Sequence, residues 1–148
     1  MGAWNSVKLV VGGSITGSNK STGATLPGSD TYVSFGGSTD KWGLTPTASQ
    51  INASNFGVVV GITVGGDTSY YIKATNFGFT VSDTIDGILV EVECKSSLVG
   101  EAYQSDVDHI RITVYYTVAA SGQPTIRRFS HCRGFRPVGI GSEGVTIG

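Results

Sequence analysis

Wherever a period can be read between Val7 and Tyr116, apolar residues recur at every second position, not at the 3.6 spacing of an amphipathic helix. Ile88, Val90 and Val92 alternate with Leu89, Glu91 and Glu93; Ile110, Ile112 and Val114 alternate with Arg111, Thr113 and Tyr115. Each run predicts a strand with one buried and one solvated face. Residues 7–11, 32–35, 56–64, 70–74 and 79–81 are rich in β-branched and aromatic side chains and predict further strands. Gly12 and Gly13, Gly36 and Gly37, Gly65 to Asp67, and Ser96 and Ser97 punctuate them as turns. The helical signal is short: Thr45 as cap, Pro46 as first helical residue, and one or two turns ending at Ile51.

Two echoes run along this pattern. INASNFGVVV (51–60) aligns with IKATNFGFTV (72–81) at six of ten positions, and DGILVEV (86–92) is echoed by DHIRITV (108–114). The copies are too few and the period too short for a repeat array, so they predict shared strand-and-corner chemistry within one domain. At an Asn-Phe-Gly corner, Asn bonds its own backbone, Gly takes the bend and Phe drops into the core. Two such corners predict pseudo-symmetric halves of a β-sandwich.

Composition narrows the class. The 148 residues fit one domain, and 22 Gly, 17 Ser and 16 Thr suit a turn-rich β protein. With 39% hydrophobic and only 14% charged residues the chain is far from the disordered signature. Apolar runs such as 9–11 and 58–60 are three residues long, against the roughly 20 of a spanning helix, so no membrane association is expected. Residues 1–13 carry neither a basic leader nor a signal-like apolar run, and Cys94 and Cys132 cannot form a disulfide framework. The net charge of −1 conceals an asymmetry: residues 124–148 carry +3 and the preceding 123 carry −4. A weakly acidic body argues against nucleic acid as a partner.

Catalytic residues, metal ligands and cofactors are not expected. His109 lies on the polar phase of a strand and His131 in the tail, with no nucleophile set at informative spacing. The four Cys and His residues are scattered, whereas a structural zinc site needs four together. Asp83, Asp86, Asp106 and Asp108 sit at strand entrances as turn formers, and Glu91 and Glu93 read as a solvated face. Trp4, Trp42, Tyr103, Tyr116 and three other tyrosines read as exposed; Trp42, Tyr70, Tyr71 and Tyr115 are the candidates for stacking on a glycan or a protein partner. From Ala119 onward the chain cannot build its own core. Arg127, Arg128, Arg133 and Arg136, with Val138, Ile140, Val145 and Ile147, predict an extended basic arm that adds a strand to a neighbouring subunit or meets its acidic surface.

As a set, GGSTDKWGLT (36–45), INASNFGVVV (51–60), TNFGF (75–79), TIDGILVEVE (84–93) and DHIRITVYYT (108–117) resemble jelly-roll-like β-sandwich domains of bacteriophage structural proteins and of phage-related regions in bacterial genomes. The resemblance covers residues 7–117, and 135–147 resembles short tails on phage-related proteins. It implies an all-β, jelly-roll-like antiparallel sandwich over residues 1–118 with an extended arm over 119–148. It further implies a non-enzymatic virion protein, such as a capsid decoration or an accessory head or tail protein, whose partners are copies of itself and other virion proteins. The alternative is a carbohydrate-binding or adhesin-like module on a phage fibre or bacterial surface.

Overall fold

A computed structural model describes residues 2–64, 68–99, 102–118, 125–139 and 145–147, including the side chains of 2–63, 71–96 and 105–118. The described residues form nine strands and one helix: β1 (Ala3–Val11), β2 (Ser14–Thr16), β3 (Thr31–Gly37), α1 (Ala48–Asn52), β4 (Gly57–Val64), β5 (Thr68–Thr75), β6 (Thr84–Val99), β7 (Ala102–Val118), β8 (Thr125–Gly139) and β9 (Val145–Ile147). They make two sheets, ordered β2-β1-β4-β5-β9 and β3-β6-β7-β8. Pairing among the described strands is antiparallel except between β5 and β9. The protein is therefore all-β and mostly antiparallel.

Alternation decides which face of each strand is buried. In β6, Ile88, Val90, Val92 and Cys94 are buried while Leu89, Glu91, Glu93 and Lys95 are half-exposed. Val7, Leu9, Val58, Val60 and Ile62 of one sheet join Val90, Val92, Ile110, Ile112 and Val114 of the other in one hydrophobic cluster. Each such aliphatic side chain contributes about 1.5–3 kcal/mol when fully buried. Trp4 on β1 meets Phe35 on β3 edge-on at 5.0 Å, joining the two sheets.

The Asn-Phe-Gly corners do place Phe56 and Phe77 in the core, but the two corners are built differently. The first leads into β4, where a Cβ on Gly57 would lie 1.8 Å from the Ala74 carbonyl oxygen. The second contains Asn76 at φ 60° and leads into irregular chain, so the strand expected over 79–81 does not form. Its backbone bonds are met by a side chain instead: Val81 N–H donates to Asn52 Oδ1 at 2.8 Å, and Asn52 Nδ2 donates to the Val81 carbonyl at 2.9 Å. Phe79 still packs inward, edge-on to Phe56 at 5.9 Å.

The helix starts two residues later than Thr45 and Pro46 suggested. Thr47 is the cap, held extended by a bridge to Thr84, and its hydroxyl accepts from the Gln50 N–H at 3.2 Å while Gln50 Oε1 accepts from the Thr47 N–H at 3.0 Å. This reciprocal box satisfies two backbone donors at the helix start.

The second echo has a clear structural meaning. Its copies lie opposite one another in the β6–β7 ladder, with Ile88 facing Val114, Val90 facing Ile112 and Val92 facing Ile110. The register slips between Ile85 and Gly87, and again between Glu93 and Cys94, leaving Asp86 and Asp108 as the extra residues. Each copy thus begins with the aspartate of a β-bulge, one at either end of the paired stretch.

Candidate functional site

The segment following β3, Ser38 to Leu44, is pinned against β6. Trp42 Nε1 donates to the Ile88 carbonyl at 2.8 Å, and Ile88 N–H donates to the Asp40 carbonyl at 2.9 Å. Trp42 N–H donates to Asp40 Oδ1 at 2.8 Å, and Asp40 Oδ2 pairs with Lys20 Nζ at 2.7 Å. The hydrogen bond from Lys20 is the chief reason the Asp40 carboxyl lies below its usual range. Trp42 has φ 59°, a left-handed conformation that a bulky residue adopts only when its surroundings hold it there.

These bonds overturn the expectation that Trp42 is an exposed stacking surface. Its side chain is fully buried, in a slot that exists because Gly36 has no side chain: a Cβ there would sit 2.7 Å from Trp42 Nε1 and 2.3 Å from the Ile88 oxygen. Trp4 is likewise buried rather than exposed.

Beside the pinned segment lies a polar cleft of about 430 Å³ lined by Ser38, Thr39, Lys41, Asp86, Tyr115 and Thr117. Asp86, at the bulge, forms its β6 wall, and the adjacent Gly87 packs against the loop. A Cβ on Gly87 would come within 2.3 Å of the Ser38 backbone, so glycine is what lets the loop approach. Thr117 Oγ1 donates to Asp86 Oδ2 at 2.6 Å. Tyr115, half-buried, adds an aromatic ring from β7.

The solvent face of β6 and β7 carries a second polar cluster. Arg111 donates to both Glu91 oxygens, from Nε at 2.9 Å and from Nη2 at 2.8 Å, and its guanidinium stands 4.7 Å from the centre of the Tyr32 ring. One step along the ladder His109 Nδ1 lies 2.6 Å from Glu93 Oε2. At the bulge, Asp108 Oδ1 is buried without a hydrogen bond. Burial first, then a hydrogen bond shared with the Asp30 carboxyl and that group's charge, raises the Asp108 carboxyl above its usual range. Burial also pushes the Cys94 thiol up to about 12, so it stays protonated and inert. Among the described residues no group of three His, Cys, Asp or Glu is placed to hold a metal ion.

The other expected site residues are dispersed. Tyr71 is 44% exposed, and its hydroxyl accepts from Asn5 Nδ2 at 3.3 Å. Tyr70 occupies the β5 position opposite Ile62, and its side chain lies outside the described residues. Arg127, Arg128 and Arg133 stand opposite Tyr116, Tyr115 and Ile110 in the β7–β8 ladder; Arg136 is also on β8, and Val138 faces Val107. Val145 and Ile147 face Ile72 and Ala74 on β5, while Ile140 lies outside the described residues, as do the side chains of the whole arm.

Of the expected residues whose side chains are described, only Tyr115 reaches the cleft. Lys41 and Asp86 were missed as site residues, as were the Glu91–Arg111 and Glu93–His109 pairs. The β6–β7 register brings those pairs together, setting Glu91 opposite Arg111 and Glu93 opposite His109. Nothing among protein-family models, curated proteins or solved structures matches the chain.

Proposed function

We propose that the protein is a structural component of a bacteriophage virion: a jelly-roll-like β-sandwich over residues 1–118 and a C-terminal arm over 119–148, working by non-covalent assembly. The reading begins from the resemblance of the 36–45, 51–60, 84–93 and 108–117 segments to phage structural domains. The observation that carries it is that the arm's strands run along both sheets: β8 pairs with β7 from Thr125 to Gly139, and β9 pairs with β5 from Val145 to Ile147. A segment whose backbone pairs with a sheet edge can occupy the same edge of a neighbouring copy, which is how strand addition builds assemblies. The core shared by both sheets supports the sandwich. Glu91 with Arg111 and Glu93 with His109 pair across the β6–β7 face, which supports a surface serving contact more than reaction.

Under this reading the protein resides in the virion as a capsid decoration or an accessory head or tail protein, with copies of itself and other virion proteins as partners. The test is to assemble particles with a chain truncated after Val118. Loss of the truncated protein from purified particles is expected; its retention at full copy number would exclude the arm as the assembly element.

A further inference from the structure

We propose that the cleft between the 38–41 loop and the β6–β7 bulge is a binding site for a neutral saccharide. The inference goes beyond the virion assignment and does not depend on it. Three features mark the cleft as built. Its loop wall is held by the Trp42–Ile88, Asp40–Ile88 and Asp40–Lys20 bonds and contains a residue in a strained left-handed conformation, so the wall is in place before any ligand arrives. Its strand wall is a β-bulge, a device that re-aims a side chain out of the ladder, here the carboxylate of Asp86. Its volume of about 430 Å³ lies within the roughly 300–1,000 Å³ of small-ligand clefts.

The lining selects the ligand class. Among the described residues the lining brings one carboxylate, one ammonium, three aliphatic hydroxyls and the phenol ring of Tyr115 to the cleft. Asp86 Oδ2 is already engaged by Thr117, which fixes the carboxylate and leaves Oδ1 without a hydrogen-bond partner among the described residues. An exposed Lys41 supplies donors from the loop side. A phosphate would be repelled by Asp86 and a divalent cation by Lys41. A sugar needs an acceptor and a donor for its hydroxyls and a ring for its C–H face, and offends neither charge. The strongest wall of the site comes from GGSTDKWGLT (36–45), the segment whose tryptophan packs inward to hold the loop while its lysine stays outside.

The full chain is tested by saturation-transfer NMR with D-glucose, D-galactose, N-acetyl-D-glucosamine and L-rhamnose, each alone. Transfer to the ring protons of at least one is expected, with affinity about fivefold to tenfold weaker in Tyr115→Ala and in Asp86→Asn. Lys41→Ala is the companion variant, since its exposed side chain can be removed without touching the core, and an unchanged amide spectrum confirms the fold. No transfer to any of the four sugars overturns the proposal, as does transfer that all three variants leave unchanged. Particle incorporation of the Asp86→Asn chain reads the virion assignment separately, because Asp86 lies on β6 and takes no part in the backbone pairing of β8 with β7 or of β9 with β5.

Discussion

Asp86 and Asp108 are the two extra residues of a single antiparallel ladder, set at opposite ends of the stretch in which Ile88, Val90 and Val92 face Val114, Ile112 and Ile110. The same local motif has been given two different environments. Asp86 accepts from a threonine hydroxyl beside an open cleft, whereas Asp108 is crowded by Asp30 and Glu93, with Lys95 as the compensating charge among the described residues. Equivalent backbone geometry therefore does not imply equivalent chemistry, and the two aspartates should respond oppositely to neutralisation: Asp86→Asn should cost sugar binding, and Asp108→Asn should relieve the fold.

The second expectation has a defined pH dependence. An aspartate whose folded pKa is raised holds its proton more tightly when folded than when unfolded, so its ionisation lowers stability as pH rises above the ordinary value of about 3.9. Asp108→Asn should therefore raise the Tm at pH 7 and lose that advantage near pH 3. Asp40 runs the other way: its folded pKa is lowered, chiefly by Lys20, so it contributes stability above the ordinary value that disappears as pH falls through the folded one. Asp40→Asn should lower the Tm at pH 7. Thermal melts of both variants between pH 3 and 8 check the pair of signs, and a lower Tm for Asp108→Asn at pH 7 would contradict the first.

The Glu91–Arg111 pair is bidentate but about a third exposed on the arginine side, where water and salt screen it. A double-mutant cycle with Glu91→Ala and Arg111→Ala should give a coupling of about 0.5–1 kcal/mol at low salt that shrinks at high salt. Arg111→Lys should lose most of it, because an ammonium cannot make the two parallel bonds or lie as a plane over Tyr32. Urea denaturation of the four chains supplies the numbers.

How far the fold could be read in advance depended on whether one face of a segment was buried. The central parts of β1, β3, β6 and β7 were legible because their inward residues alternate with polar ones, and β4 because its run is rich in β-branched residues. The outer halves of β6 and β7 were not, since Lys95, Ser96, Ser97, Gln104, Ser105 and Asp106 are polar on both phases and carry no period. The segment 79–81 has strand composition, but its partner is the Asn52 amide, a contact 29 residues away that no local pattern reports. Trp42 was misplaced because an aromatic between glycines suits a solvent loop as well as a slot, and the slot depends on Gly36 and Ile88 meeting in space. The cleft is harder still: it joins residues 38–41, 86 and 115–117, and only the β6–β7 register and the absence of a side chain at Gly87 bring them together.

Trp42 is expected to matter for stability. Trp42→Phe removes the donor to the Ile88 carbonyl and leaves part of the indole volume empty in a fully buried site. The combined cost should be about 2–3 kcal/mol, read as a lower urea midpoint with an unchanged slope. Gly36→Ala should be at least as damaging, because it adds a Cβ against the Ile88 oxygen at a backbone φ of +81°. A Gly36→Ala chain as stable as the parent would mean that the loop does not need this slot.

Asn52 makes the last case, where a side chain takes over the work of a strand. Its amide donates to one backbone group of Val81 and accepts from the other, the pairing a neighbouring strand would have supplied. Val81 is buried, so losing either bond leaves a backbone group without water to replace it. Asn52→Ala should cost about 1–3 kcal/mol. Asn52→Asp keeps the acceptor but turns the donor into a second acceptor facing the Val81 carbonyl, and should be at least as destabilising as alanine at neutral pH. Amide exchange at Val81 reports the effect locally: protection should collapse in Asn52→Ala and persist in part in Asn52→Asp, whose carboxylate still accepts from that N–H. Equal loss of protection in both would mean that the clamp works through helix position and not through the two bonds.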